Sequence, residues 1–245
     1  MSLIDFHFIG EENDGVDTST NPQVIRVEDD GYVHVIGLIN QSNGLGFNTS
    51  GDTSQNTDVQ AYNNSGNWVT ANLSQAPFNA GNNNMHFHFC KNLAEKYNVK
   101  VRLQLVARPG ETIDNYEREK YMYQWVLADR KRMNMPPASI CLNHQGEQDN
   151  GTANTYISRF DAVIENAILD GLIREDAKII VGETTESTAI NAQLNIIGAR
   201  GVKYGIALGT DLDNSASTSG LIHYTGENLV IMGARYFAEW EYLMD

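Results

Sequence analysis

Five short runs rich in apolar and β-branched residues recur along the chain, each followed by a stretch long enough for a helix: residues 32–39 (YVHVIGLI), 99–107 (VKVRLQLVA), 139–142 (SICL), 178–182 (KIIVG) and 203–208 (KYGIAL). Near-continuous apolar runs of this length predict strands buried on both faces, and a parallel neighbour can be reached only through a crossover of a dozen or more residues. The intervals supply those crossovers. Residues 85–97 and 113–133 have helical spacing, and residues 152–172 align Tyr156, Phe160, Val163, Ile164, Ala167, Ile168 and Leu172 in one apolar stripe, with Gly171 expected at its C-terminal end. Residues 186–200 and 226–243 complete the set. Upstream, Asp29-Asp30-Gly31 predicts a hairpin turn joining residues 24–27 to the first strand. The pattern specifies an α/β fold: a five-stranded parallel sheet covered on both faces by helices.

No repeat and no Pro- or Ser-rich linker divides the 245 residues, so residues 1–245 are expected to form a single domain with 1–30 as an N-terminal extension or hairpin. Residues 43–84, crowded with Asn, Gly, Ser and Thr, are expected to form an elaborated loop at the strand-carboxyl edge. An aperiodic span of about 40 residues inside a compact domain is unusual unless it is functional. The balance of 17 Lys and Arg against 31 Asp and Glu gives a net charge of −14. That charge argues against nucleic acid and anionic membrane surfaces, both of which are gripped by basic side chains. No apolar run approaches the length of a membrane span. The first residues lack a basic segment and an apolar core, so no signal peptide is expected on the chain as given, which leaves the location open. Cys90 and Cys141 lack any metal-site spacing and are expected as buried free thiols.

In open α/β sheets the functional site lies beyond the carboxyl ends of the strands. Asn40-Gln41-Ser42-Asn43-Gly44-Leu45-Gly46 follows the first run, Arg108-Pro109-Gly110-Glu111-Thr112 the second, and Asn143-His144-Gln145-Gly146-Glu147-Gln148-Asp149 the third. Near the C-terminus, Gly220-Leu221-Ile222-His223-Tyr224-Thr225 precedes the last helix. Taken singly, each segment has an ordinary reading: Ser42 as a turn residue, His223 as a polar residue before a helix, His86 and His88 as packing. Gly44-Leu45-Gly46 lacks the third glycine of a dinucleotide fingerprint. Glu147 and Asp149, two apart on a loop, are expected to fix the segment through backbone N–H groups rather than to act as a glycosidase pair.

Taken in order, the segments resemble the SGNH hydrolase superfamily, specifically its carbohydrate O-acetylesterase branch, which includes sialate O-acetylesterase and acetylxylan esterase relatives. Asn40-Gln41-Ser42-Asn43 is similar to that branch's Gly-Gln-Ser-Asn block, Gln145-Gly146-Glu147-Gln148-Asp149 to its Gln-Gly-Glu-x-Asp block, and His223 with the following helix to its terminal block. The stretch from Ala107 to Ile113 resembles a diverged Gly-Gly-Thr segment. The resemblance implies a three-layer, flavodoxin-like fold and a serine esterase that removes O-acetyl groups from a sugar or polysaccharide through an acyl-enzyme, with no metal or organic cofactor. It implies Ser42 as nucleophile, His223 as general base and then acid, and an oxyanion hole made from the backbone N–H groups of Ser42 and Gly110 and the Gln145 amide. Asn43, His144 and Glu147 are expected to contact substrate. The Asn-rich segment is a further candidate, and the negative charge favours a neutral or sparsely charged glycan.

Two departures matter. The branch usually carries an Asp three residues before the histidine, where this chain has Gly220. Either a backbone carbonyl or water orients His223, or Asp211 or Asp213 substitutes, with Asp213 preferred, or activity is weak or lost. The rival function is accordingly a glycan-binding or structural module on the same fold, and a thioesterase or peptidase ranks third. Asn40 replaces the usual Gly and is expected to be tolerated because Asn accepts left-handed backbone better than most residues.

Overall fold

The computed structural model describes residues 25–46, 48–74, 77–78, 82–185, 188–217 and 222–245. Strand β1 (Val33–Asn40) sets the layering. Val33 and Val35 enter one hydrophobic core, while Ile36, Leu38 and Ile39 enter the other. After β1 the chain runs through α1 (Ser42–Leu45), β2 (Val59–Tyr62), β3 (Trp68–Thr70), α2 (Met85–Tyr97) and β4 (Val101–Ala107). It continues through α3 (Tyr121–Arg132), β5 (Ala138–His144), α4 (Ala153–Leu169), β6 (Ile173–Gly182), α5 (Thr188–Gly198), β7 (Tyr204–Ala207) and α6 (Gly226–Met244). The strands lie in the order β3-β2-β4-β1-β5-β6-β7, all parallel except β3, which pairs antiparallel with β2. Residues of α2 and α6 pack into the core on one face, and residues of α3, α4 and α5 into the core on the other.

All five expected strands form, as β1, β4, β5, β6 and β7, and their order β4-β1-β5-β6-β7 is the flavodoxin-like one. The sheet has seven strands rather than five. The added pair comes from the segment expected to be loop, where Val59 and Ala61, both fully buried, extend the sheet alongside Val101 and Leu103. Strands of four and three residues are too short for a period-2 signal to stand out among asparagines. The helix expected over 113–133 is interrupted: a 3₁₀ turn (Ile113–Tyr116) precedes α3, and the N–H of Ile113 is held by Asp149 from another loop. Gly171 does close α4, with φ +72° and the Leu172 N–H on the Ala167 carbonyl. The turn at Asp29–Gly31 also forms, with Gly31 at φ +82°, but no strand precedes it among the described residues, and Val24 lies outside them.

Close packing of α2 on α6 requires Gly233, because a Cβ there would lie 2.4 Å from the His88 Cβ. Cys90 and Cys141 are free, fully buried and in opposite cores, and burial pushes the Cys141 thiol up to about 12. Burial also holds His86 and His88, both on α2, as neutral imidazoles, with pKa values lowered to about 3 and about 4. The unfolded chain protonates these rings near the ordinary 6.5 while the folded chain does not. Their contribution is therefore complete above that pH and is lost as pH falls through the window from 6.5 towards 4, at about 1.4 kcal/mol per pH unit for each ring. Guanidinium unfolding at pH 7.5 and 5 should show a clear drop in midpoint at the lower pH, and His86→Gln should flatten that dependence by about one proton. A midpoint unchanged between the two pH values would overturn this account.

Where β1 ends, its register with β4 and β5 shifts between Gly37 and Asn40, and the Asn40 side chain fills the break. Its Oδ1 accepts the His144 N–H at 2.8 Å, and its Nδ2 lies 3.4 Å from the Val106 carbonyl and 3.5 Å from that of Leu142. The expected reason for Asn here is corrected: only Asn98 and Asn134 have positive φ among described non-glycine residues, and Asn40 is fully buried as a side-chain stitch across three strands. Asn40→Ala would leave the His144 N–H buried without its acceptor, at a cost of about 2–3 kcal/mol, readable as a lower urea midpoint at constant m-value. A loss under about 0.5 kcal/mol would mean that the strand ends hold without the stitch.

Candidate active site

Ser42, the first residue of α1, stands directly after the stitched end of β1 and is 6% exposed. Only glycine fits two positions further on, since a Cβ on Gly44 would come within 2.6 Å of the Asn40 Cβ. The short helix is fastened from α2. Asn84 donates its amide to the Gly44 and Leu45 carbonyls at 2.7 and 3.1 Å while its Oδ1 caps α2 on the Phe87 N–H. The His86 Nδ1 lies 3.2 Å from the same Gly44 carbonyl.

Asn43 joins this segment to the one bearing His223. Its Oδ1 accepts the Tyr224 N–H at 2.9 Å, and its Nδ2 donates to the Ile222 carbonyl at 2.8 Å and to Glu147 Oε1 at 2.6 Å. Both chain neighbours of His223 are thus held by the residue that follows Ser42. The Thr185 hydroxyl adds a second bond to the Ile222 carbonyl at 3.0 Å, and the Tyr224 hydroxyl donates to the Glu183 carbonyl at 2.9 Å. Beyond, Thr225 caps α6 on the Asn228 N–H. His223 is half-buried between two pinned residues.

The segment after β5 completes the enclosure. Gln145 places Nε2 within 3.1 Å of the Glu111 carbonyl, 3.4 Å of Gln41 Oε1 and in hydrogen-bond contact with Asp149 Oδ2. Two acceptors that cannot donate, a carbonyl and a carboxylate, settle which end of the amide is nitrogen. Asp149 also accepts the Ile113 N–H and the Thr152 hydroxyl, and burial raises its carboxyl above the ordinary carboxylate range against those bonds. The segments after β4 and β5 are thereby tied together. Gly110, at φ +73° in an exposed turn, occupies the tip of the first of them.

The three residues expected to meet substrate are buried beside these segments. Asn43 and His144 are 1% and 0% exposed, and the Glu147 side chain is 4% exposed. Asn43 donates to Glu147 Oε1, which lies 3.6 Å from the His144 Nε2, and the His144 Nδ1 meets the Tyr236 hydroxyl at 3.2 Å. Asp213, the expected carboxylate partner, accepts the Ser215 N–H at 2.8 Å in an exposed turn, which holds its carboxyl below the usual range. Asp211 pairs with Arg235 through both oxygens. Gly220 lies outside the described residues. Asn40, Asn84 and Tyr236 also contact the segments of the site, and of these only Asn40 belongs to a motif visible in the sequence. Asparagine density is the available signal, and in Asn40 and Asn84 it marks internal bonding rather than a surface.

Among the described residues no cluster of three or more His, Cys, Asp or Glu is arranged to hold a metal ion, and no helix is long and apolar enough to cross a membrane. Comparison with solved structures places the fold beside a protein of Arabidopsis thaliana (TM-score 0.72, 16% identity, 85% of this chain and 98% of that one). It is similar also to NanS (0.65, 10%, 86% and 97%) and to XAC1771, a carbohydrate acetylesterase from Xanthomonas citri (0.64, 14%, 86%), of which the chain spans 56%. No curated protein sequence matches. The profile of one family, carbohydrate esterase, sialic acid-specific acetylesterase, matches residues 33–241, a span that includes the Ser42, Gly110, Gln145 and His223 segments. The chain therefore belongs to this carbohydrate esterase family and is an ester hydrolase of the carbohydrate O-acetylesterase type.

Proposed function

We propose that Ser42 and His223 are the nucleophile and base of this esterase, and that it removes O-acetyl groups from a sugar or polysaccharide through an acyl-enzyme. The observation that supports this reading is the Asn43 linkage, which binds the segment of the serine to both neighbours of the histidine. Ser42 Oγ attacks the acetyl carbonyl while His223 takes its proton. The tetrahedral intermediate then collapses, the C–O bond to the sugar breaks, and His223 returns the proton to the departing alkoxide. Water, deprotonated by His223, attacks the acetyl-serine, and the second collapse releases acetate and restores the Ser42 hydroxyl.

The developing oxyanion is met by the N–H of Ser42, which as the first residue of α1 has no acceptor within the helix, and by the N–H of Gly110. Gln145 has two amide protons for three neighbouring acceptors, so it reaches the oxyanion by releasing Gln41, its longest contact. No carboxylate is required in this scheme. His223 is held by its backbone, and Asp213 could join only by giving up the Ser215 N–H. The net charge of −14 favours neutral or sparsely charged glycans over polyanionic ones.

Ser42→Ala should abolish acetate release from p-nitrophenyl acetate and from an acetylated sugar, and a serine-directed fluorophosphonate should label Ser42 in the native chain but not in His223→Ala. Equal acetate release by native and Ser42→Ala protein would remove the nucleophile assignment and leave the glycan-binding reading. Turnover that rises steeply from acetyl to octanoyl esters would count against acetyl specificity.

A further inference from the structure

We propose that Asn43 is the positioning residue for His223, fixing by hydrogen bonds the backbone on both sides of it. This rests on the reading of Ser42 and His223 given above. The clamp is formed by one side chain. An amide is the group that can accept the Tyr224 N–H and donate to the Ile222 carbonyl at once, so it brackets His223 on both sides at 2.9 and 2.8 Å. With the peptide groups before and after His223 anchored, the backbone from which the imidazole projects is fixed in place.

The clamp itself has a fixed seat. Glu147 Oε1 accepts the second Nδ2 proton at 2.6 Å, and the amide is 1% exposed, so solvent does not compete for it. The helix carrying Asn43 is fastened in turn by Asn84 on the Gly44 and Leu45 carbonyls. Aspartate could not substitute, because it would accept from Tyr224 but could not donate to Ile222, and it would place a second carboxylate against Glu147. The position of the base relative to Ser42 is therefore set by the residue adjacent to the nucleophile.

The test is a double-mutant cycle on p-nitrophenyl acetate turnover and fluorophosphonate labelling with Asn43→Ala, His223→Ala and the double variant. Asn43→Ala should lower kcat and the labelling rate on the order of 10²-fold, the scale of a misplaced catalytic group, with KM nearly unchanged. In the His223→Ala background the same change should cost nothing further, since a residue acting through the histidine has nothing left to act on. Full kcat in Asn43→Ala, or equal losses in both backgrounds, would overturn the proposal. If Asn43→Ala does not fold, hydrogen exchange in the native chain decides: a Tyr224 amide as protected as those of β1 upholds the clamp, and exchange at the rate of an exposed turn refutes it. Failure of the parent reading is distinct, because Ser42→Ala would then match native turnover whatever Asn43 does.

Discussion

Parallel strands end on a polar problem. At the carboxyl edge of the sheet, where β4, β1 and β5 stop together, backbone groups lose their ladder partners in an interior that water does not reach, and each unpaired group there is costly. Asn40 meets this constraint with one buried amide set between the three strand ends, reinforced by the Asn143 side chain on the Ile39 N–H and by the Gln41 N–H on the His144 carbonyl. Everything at the site follows from that edge being closed. The Ser42 helix starts one residue beyond Gln41, Gly44 is packed against the Asn40 side chain, and the Gln145 segment leaves from the other stitched strand.

The same device recurs outwards. Asn48, Asn83 and Asn84 are all nearly fully buried, and their amides serve backbone carbonyls of Tyr224, of Ser50 and Asp52, and of Gly44 and Leu45. A loop with little regular structure can be buried only if its carbonyls and amides find partners, and asparagine supplies donor and acceptor together without introducing a charge. The asparagine content, which from sequence suggested a glycan-facing surface, thus serves in these residues to hold the loop on α2 and on the Ser42 helix.

This explains which parts of the molecule were legible. The core strands and α2, α4 and α6 announce themselves because burial imposes a period on apolar side chains, and Gly171 ends α4 for a local reason of backbone geometry. The β2–β3 pair and the break before α3 were not legible, since they depend on contacts from elsewhere: β2 forms because β4 offers an edge, and Ile113 is held by Asp149 from a different loop. At the site, the segments bearing Ser42, Gly110, Gln145 and His223 could be read from the chain in order. The orientation of Asn43 could not. A residue beside a serine is equally placed to face substrate or protein, and only the position of the strap at Ile222–Tyr224 decides it.

A backbone clamp and a carboxylate control different things. An aspartate bonded to a catalytic imidazole fixes its tautomer, its orientation and, through its charge, the stability of the imidazolium formed in the reaction. Asn43 acts on the backbone and, in the proposed scheme, supplies position alone. Glu147 lies one hydrogen bond behind the clamp, and the effect of a charge there on the ring falls with distance and with the local dielectric. In that scheme the neutral amide contributes placement, one part of what an aspartate supplies. A scaffold built on buried asparagines arrives at such a clamp without any further change of fold, because Asn43 is of the same kind as the residues that close the sheet edge and hold the loop.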